Sequence, residues 1–205
     1  VHPAPEKAEA REPFAVTLRA TLAAPGLLVF LIAVGLLTEV HQTVTVFLNQ
    51  LQYERCGMTS TAIGAVYIAA TLLGLCGVWS AALTRRTGPK RAVGLFCLAP
   101  ALACVVLTVT DRALLSVGSI WLLQVSDSLF QPFQVQLQNR QVQTRNRATA
   151  LSIHAMIVDV VAIGSNLLFG ALAQWDLRLA FVFGAVACLT ALGLLGVWRQ
   201  RTHLV

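Results

Sequence analysis

The stretch Ala113–Gln138 reads ALLSVGSIWLLQVSDSLFQPFQVQLQ and combines two properties that conflict inside a membrane. It is apolar and long enough to cross a bilayer as a helix, which takes about 20 residues. Polar residues nevertheless recur along it at steps of three or four, namely Gln124, Asp127, Gln131, Gln134 and Gln138. At about 3.6 residues per turn, these residues form one polar stripe. Lipid does not accept such a stripe, so we expect it to face protein or a water-filled cavity.

The composition of the whole chain is that of a membrane protein. Hydrophobic residues make up 57% of it and charged residues 12%, with a mean hydropathy of +0.72. Soluble domains carry about 25% charged residues, so we expect an all-α integral membrane protein with the lipid bilayer as a partner. The net charge of +6 also invites a nucleic-acid interpretation. The basic residues cluster at the ends of apolar spans, however, which is typical of charges that orient a membrane protein, and we expect no nucleic-acid partner.

Six apolar spans can be read from the sequence, each near the length that a spanning helix needs. They run over Gly26–Leu48, Ser60–Thr84, Ala92–Thr110, Ala113–Gln138, Ala148–Ala173 and Leu179–Trp198. We therefore expect residues 26–198 to form a six-helix transmembrane domain. Residues 1–25 predict a cytoplasmic tail that ends in an interfacial helix, and residues 199–205 predict a cytoplasmic C-terminal tail. Because the chain opens with Val1 and not with Met, we expect it to be a piece of a longer polypeptide.

Twelve of the fifteen Lys and Arg residues fall on one side of these spans. That side carries Lys7, Arg11, Arg19, Arg85, Arg86, Lys90, Arg91, Arg140, Arg145, Arg147, Arg199 and Arg201, and the other side carries Arg55, Arg112 and Arg178. Since positive charges stay on the cytoplasmic side, we expect both termini in the cytoplasm. Frequent Ala and the use of Arg over Lys indicate a bacterial source, so the expected location is the inner membrane.

The spans also show a weak internal repeat. Spans one to three and spans four to six follow the same order: a polar helix, a helix of small residues and a plain apolar helix. In the second span the small residues, which let helix backbones approach closely, are Gly64, Ala70, Gly74, Gly77 and Ala81. The offset between the units is about 86 residues, which places the counterpart of Glu39 close to Asp127. Units of three helices are inverted relative to each other, as is common in transporters, so we expect two inverted three-helix repeats.

Three acids lie inside the spans: Glu39, Asp127 and Asp159. An acid at the bilayer centre costs about 2.5–3.5 kcal/mol on insertion scales, so a set of three indicates a role. A carboxyl group in such surroundings favours its neutral form, which suits it to exchange protons. We therefore predict that these three acids take part in proton coupling. The alternative is that each is a structural acid held by a neighbouring Ser, Asn or His.

The first span is as polar as the fourth. Thr38, Gln42, Thr45 and Asn49 share one face of an α-helix, with Glu39 on its edge. Asn and Gln side chains both donate and accept hydrogen bonds, which suits a neutral or mixed solute. We predict a substrate path lined by Gln42, Thr45, Asn49, Gln124, Gln131 and Gln134. The alternative is hydrogen bonding between the helices of a dry bundle.

Other candidate chemistry is scarce in the sequence. His41 and His154 rank below the acids, because a lone histidine is often a packing residue with satisfied hydrogen bonds. The five cysteines make no CxxC pair, and no HExxH, GxSxG or Walker loop occurs. We therefore expect no enzyme activity, no cofactor and no metal.

The loop from Ala81 to Arg91 resembles a motif of the major facilitator superfamily, G-x-L-A-D-R-x-G-R-K, which joins the second and third helices of each six-helix half. Here Leu83, Arg86, Gly88 and Lys90 fit the motif. Ala81 replaces its first glycine, and Arg85 stands where it has an aspartate. Such degraded copies are usual in the C-terminal half. The runs Asn146–Ser152 and Gly170–Ala173 are similar to the ends of the eleventh helix of that family.

This resemblance implies the C-terminal half of a secondary transporter that moves a small solute by alternating access. In that family the first and fourth helices of each half line the cavity, the second and fifth form the interface between halves, and the third and sixth face lipid. The implied partner is the missing N-terminal six-helix half or a second copy. The cytoplasmic motif loop, acting as a hinge or latch, would comprise Leu83, Arg85, Arg86, Gly88, Lys90 and Arg91. The alternatives are a non-transporting membrane sensor or assembly subunit, and a stand-alone six-helix protein that dimerises.

Overall fold

The computed structural model describes residues 14–142 and 147–202. Within these ranges almost every residue is helical and no strand occurs. The predicted N-terminal tail up to residue 13, the basic residue Arg145, the motif residue Asn146 and residues 203–205 of the predicted C-terminal tail lie outside the described residues.

Six of the described helices are long and apolar enough to cross a membrane, which indicates a multi-pass membrane protein. A short helix, α1 (Phe14–Leu22), precedes them. The six are α2 (Pro25–Arg55), α3 (Ser60–Thr87), α4 (Pro89–Val109), α5 (Ala113–Gln141), α6 (Arg147–Trp175) and α7 (Leu177–Thr202). The predicted spans are confirmed in number and position. The largest difference is in α2, which continues past Leu48 to Arg55.

Two of these helices leave α-helical geometry part of the way along. Residues Thr43–Leu48 of α2 form a π-helix, and residues Gly74–Trp79 of α3 form a 3₁₀-helix. A π-helix holds more residues per turn than an α-helix, so side chains after it are rotated about the axis. Segments of both kinds are frequent at functional sites and hinges.

The most extensive contact between two helices joins α4 and α7. Helix α2 packs on α6 and α7, and α5 packs on α3 and α4. The largest buried side chains include Phe30, Leu107, Leu123, Phe181 and Trp198. In the most apolar 18-residue window of α2, 61% of the window is buried inside the protein. The corresponding share is only 6% in α3 and 11% in α6. Helices α3 and α6 therefore present wide uncovered apolar faces.

Two glycines permit the closest helix contacts. A Cβ atom at Gly77 of α3 would lie 2.8 Å from the backbone oxygen of Ser128 on α5. A Cβ atom at Gly35 of α2 would lie 2.9 Å from Cβ of Val161 on α6. Real Cβ atoms do not approach other atoms this closely. The expected close packing of the second span is thus confirmed at Gly77, whereas Gly64 faces open space.

The short helix α1 lies against α6 and the start of α2. Its buried residues are Thr17 and Thr21, while Phe14 and Leu22 are 47% and 50% exposed. The predicted helix is therefore present. Its Leu18 and Leu22 line an apolar groove with residues of α2 and α6, whereas Phe14 is exposed.

At one end of the bundle, charged and polar side chains join three helices. Asp111, between α4 and α5, accepts hydrogen bonds from Arg55 at 2.5 Å and from Arg178 at 2.8 Å. Gln52 of α2 is fully buried and donates to the backbone oxygen of Thr110 at 3.1 Å and to Oγ of Ser116 at 2.9 Å. Two of the three cations on the sparsely charged side are thus paired with an acid.

The close contact at Gly77 predicts a position-specific cost of adding a methyl group. Gly77→Ala should lower the free energy of unfolding by about 1–3 kcal/mol, because the new Cβ meets backbone that cannot move aside. Gly64→Ala, on the same helix but in open space, should be neutral or stabilising. Reversible unfolding in detergent with increasing SDS, followed by circular dichroism, measures both values. Equal effects at the two positions would contradict a tight contact between α3 and α5.

Candidate functional site

Polar residues of α2 and α5 meet where these two helices touch. Oγ1 of Thr38 donates a hydrogen bond to Oε1 of Gln134 at 3.3 Å. One turn further along α2, Nδ1 of His41 lies 3.6 Å from Oδ1 of Asp127. The predicted stripes of the first and fourth spans are therefore brought together, at Gln134 and at Asp127.

The two acids of this region are held in the same local arrangement. Glu39 is 4% exposed, and its Oε1 accepts a hydrogen bond of 2.5 Å from Oγ1 of Thr43, four residues later. Oδ1 of Asp127 accepts a hydrogen bond of 3.5 Å from Nε2 of Gln131, also four residues later. Neither acid forms an ion pair with a described Lys or Arg residue. Each carboxyl group thus has a neutral hydrogen-bond donor and no fixed positive charge beside it.

The structure adds His41 to this group. Its side chain is 1% exposed, and neither ring nitrogen makes a hydrogen bond of normal length and angle to a described residue. Its ring centre lies 6.3 Å from that of Phe130 on α5. No spacing within α2 alone indicates that His41 faces Asp127, because the contact depends on how α2 packs against α5.

Further along α2, a cavity of about 90 Å³ lies between α2, α3 and α5. Three of the predicted path residues line it: Thr45, Asn49 and Gln124. Oδ1 of Asn49 accepts a hydrogen bond of 2.9 Å from the hydroxyl of Tyr67 on α3, and the Asn49 amide nitrogen donates to the backbone oxygen of Thr45. At about 30 Å³ for each water molecule, the cavity has room for about three waters. It is smaller than the range of about 300–1,000 Å³ that is usual for small-molecule sites.

The remaining path residues lie elsewhere. Gln42 and Gln131 are exposed, while Asn49 is only 2% exposed. Asn49 lines the cavity on the same side of α2 as Thr45, whereas Gln42, which precedes the π-helix Thr43–Leu48, is exposed outside it. Asp159 is exposed on α6, and no described residue bonds to its carboxyl group, so it does not join Glu39 and Asp127.

The motif loop is a sharp connection between α3 and α4. Helix α3 ends at Thr87, Gly88 has φ 77° and ψ 152°, and α4 begins at Pro89. A positive φ of this kind is readily adopted only by glycine. The basic side chains of the loop, Arg85, Arg86, Lys90 and Arg91, are exposed, and Leu83 packs against the core. None of the four forms an ion pair with a described acid.

No group of three or more His, Cys, Asp and Glu side chains within residues 14–142 and 147–202 is placed to hold a metal ion.

Comparisons of the chain with protein-family models find no match. Comparisons with curated proteins and with solved structures find no match either. The functional interpretation therefore rests on the geometry of α2 and α5 and on the resemblance of the motif loop.

The contact between Thr38 and Gln134 predicts a measurable coupling between α2 and α5. In a double-mutant cycle with Thr38→Val and Gln134→Leu, the coupling energy should be about 0.6 kcal/mol and at most about 1.7 kcal/mol, the range found for hydrogen bonds between membrane helices. A matched cycle with Thr38→Val and Gln131→Leu should give no coupling, since Gln131 bonds to Asp127 instead. SDS unfolding of the four variants provides the energies. Coupling in the second cycle but not in the first would contradict the geometry described here.

Proposed function

We propose that this chain is one six-helix half of a secondary active transporter of the major facilitator type. It moves a small solute across the membrane by alternating access, with protons as the coupling ion. The observation that carries the proposal is the matched pair of acids on α2 and α5. Glu39 with Thr43 and Asp127 with Gln131 repeat one arrangement on two helices that touch each other.

The starting points of the helices support an inverted repeat. The first helices of the two units begin at Pro25 and Ala113, the second at Ser60 and Arg147, and the third at Pro89 and Leu177. The three offsets agree to within one residue. The offset between Pro25 and Ala113 carries Glu39 onto Asp127 and Thr43 onto Gln131. A transporter built from such repeats places its substrate and ion sites near the bilayer midplane, between the repeats.

The packing has the same two-fold character. Helix α2 rests on α6 and α7, just as α5 rests on α3 and α4. The helices α4 and α7 pack on each other, and so do α2 and α5. Each contact of the first unit thus has its counterpart in the second, as two units related by an axis in the membrane plane require.

The uncovered faces support a second six-helix unit as partner. Helices α3 and α6, the least buried of the six, would form the interface with that unit. Gln42 and Gln131 are exposed and would then face the space between the units. The cavity of about 90 Å³ is below the size usual for small-molecule sites, and the partner would supply the opposite wall of the substrate path.

The charge distribution supports both termini in the cytoplasm of a bacterial cell, with the chain in the inner membrane. The exposed cations of the motif loop and Arg140 lie at one end. At the other end Asp111 pairs with Arg55 and Arg178, which reduces the effective positive charge there. The motif loop, with Arg85 in place of the family aspartate, would act as the cytoplasmic latch between the transport states.

A cavity in front of α5 predicts access from water at Gln131. In the intact protein without its native cysteines, Gln131→Cys should react with a charged, membrane-impermeant maleimide on the order of tenfold faster than Leu102→Cys, because the thiolate forms only in contact with water. Leu102 is a matched control, since it is 59% exposed on α4 but would face lipid. Labelling in proteoliposomes, followed by mass spectrometry, gives both rates. If Gln131→Cys stayed unreactive under every condition, a non-transporting sensor or assembly subunit would be the better interpretation.

Proton coupling predicts a loss specific to the acids inside the helices. Asp127→Asn should abolish proton movement that accompanies solute uptake into proteoliposomes, because the amide cannot exchange a proton. Glu54→Gln is the control, since Glu54 is exposed at the end of α2 and bonds only to Gln50. A pH-sensitive dye inside the vesicles reports proton movement on addition of a panel of amino acids, sugars and organic cations. Coupled transport that survives Asp127→Asn would remove Asp127 from the mechanism.

A further inference from the structure

A cavity of about 410 Å³ lies at the ends of α3 and α5 nearest the motif loop. One wall runs from Ala81 to Gly88 and the other from Phe133 to Arg140. On each wall the lining residues recur at steps of three and four, so each wall is one stripe of a helix. The volume falls within the range of about 300–1,000 Å³ that is usual for small-molecule sites. The cavity includes Arg85 and Gly88 of the motif loop, but none of the roles proposed above assigns it a ligand.

The cavity changes from apolar to cationic along its length. Phe133 and Leu137, which lie deeper along α5, are buried and form an apolar floor. Arg140 is in the last turn of α5 and Arg85 in the last turn of α3, and both are exposed at the rim. These last turns are also the ends of two helices that are long and apolar enough to span the membrane. In a bilayer the rim would lie on the side of the lipid headgroups and water, and the floor on the hydrocarbon side.

The positive charge at this rim has no described counter-charge. The described acids at helix ends, Glu54, Asp111 and Asp176, belong to the opposite end of the bundle, where Asp111 pairs with Arg55 and Arg178. The other described acids lie along α2, α5 and α6, and none forms an ion pair with Arg85 or Arg140. Two unpaired guanidinium groups on facing walls therefore suit an anion that enters between them.

The donors at the rim are those that recognise phosphate. A guanidinium group offers paired N–H donors whose geometry matches two phosphate oxygens. The amide of Gln136 lines the same cavity and supplies a further donor. The first residue of α4, Pro89, also lines the cavity and brings the positive end of that helix dipole, whereas the last turns of α3 and α5 bring negative ends. The attraction for an anion therefore comes from the two guanidinium groups.

We propose that this cavity binds a phosphate group between Arg85 and Arg140. The apolar floor favours a phosphate carried by a membrane lipid, with the start of an acyl chain over Phe133 and Leu137. Free inorganic phosphate is the other source of the same chemistry. The proposal does not depend on transport, because it uses neither Glu39 nor Asp127.

The test compares two double variants that remove the same charge. The first, Arg85→Gln with Arg140→Gln, removes both cations of the cavity rim. The second, Arg86→Gln with Arg91→Gln, removes two cations of the same loop that do not line the cavity. The intact protein in detergent is titrated with phosphatidylglycerol and with phosphatidylcholine, and bound lipid is measured by mass spectrometry. Removing the rim arginines should weaken phosphatidylglycerol binding about 25-fold, a factor of about five for each cation, and the control pair should leave it unchanged.

Inorganic phosphate, titrated alone by calorimetry, separates the two sources. Phosphatidylglycerol binding without phosphate binding identifies a lipid site, and phosphate binding that the rim variant loses identifies a site for the free ion. An equal loss of lipid binding in both double variants, or no loss in the rim variant, would overturn the proposal. Should the rim variant not fold, Ala81→Trp keeps both arginines and fills the cavity, and it should cause the same loss.

Discussion

Hydrocarbon offers no hydrogen-bond partners, so every polar group in the six long helices needs a partner within the protein. Many hydroxyl groups find that partner within their own helix. The hydroxyls of Thr45, Thr71, Thr108 and Thr190 each donate to a backbone oxygen one turn earlier in their own helix. The polar contacts Thr38–Gln134, His41–Asp127 and Tyr67–Asn49 cross between helices instead, and all of them involve α2. The polar character of this region is thus shared between helices, as a site requires.

The sequence was sufficient for features that depend on the bilayer alone. The six long apolar helices, the short helix before them and the close packing at Gly77 follow from length, hydropathy and residue size, and the structure contains them. Features that depend on one helix meeting another were less accessible. The π-helix within α2 is one such feature, because uniform α-helical periodicity does not predict it. The position of His41 beside Asp127 is set by the packing of α2 on α5. The spacing of polar residues along either helix does not predict it.

In the candidate site, too, the sequence identifies single residues but not the contacts between helices. Glu39 and Asp127 were found from the cost of placing an acid in lipid, and the structure gives each of them a hydrogen-bond donor one turn later. The same reasoning selected Asp159, which the structure leaves exposed on α6 without a described partner. Insertion cost therefore identifies unusual acids but does not say which of them act together. That information comes only from the arrangement of the helices.

The bonds around Asp111 make the two ends of the bundle mechanically different. At that end, Arg55, Asp111 and Arg178 link α2, the α4–α5 connection and α7, and Gln52 adds bonds to Thr110 and Ser116. At the end that carries the motif loop, no ion pair joins the described residues, and Gly88 alone separates α3 from α4. We therefore expect the bundle to be stiff at the Asp111 end and compliant at the other. Helices that move relative to one another would pivot about Asp111, and the largest displacements would occur beside Arg85 and Arg140.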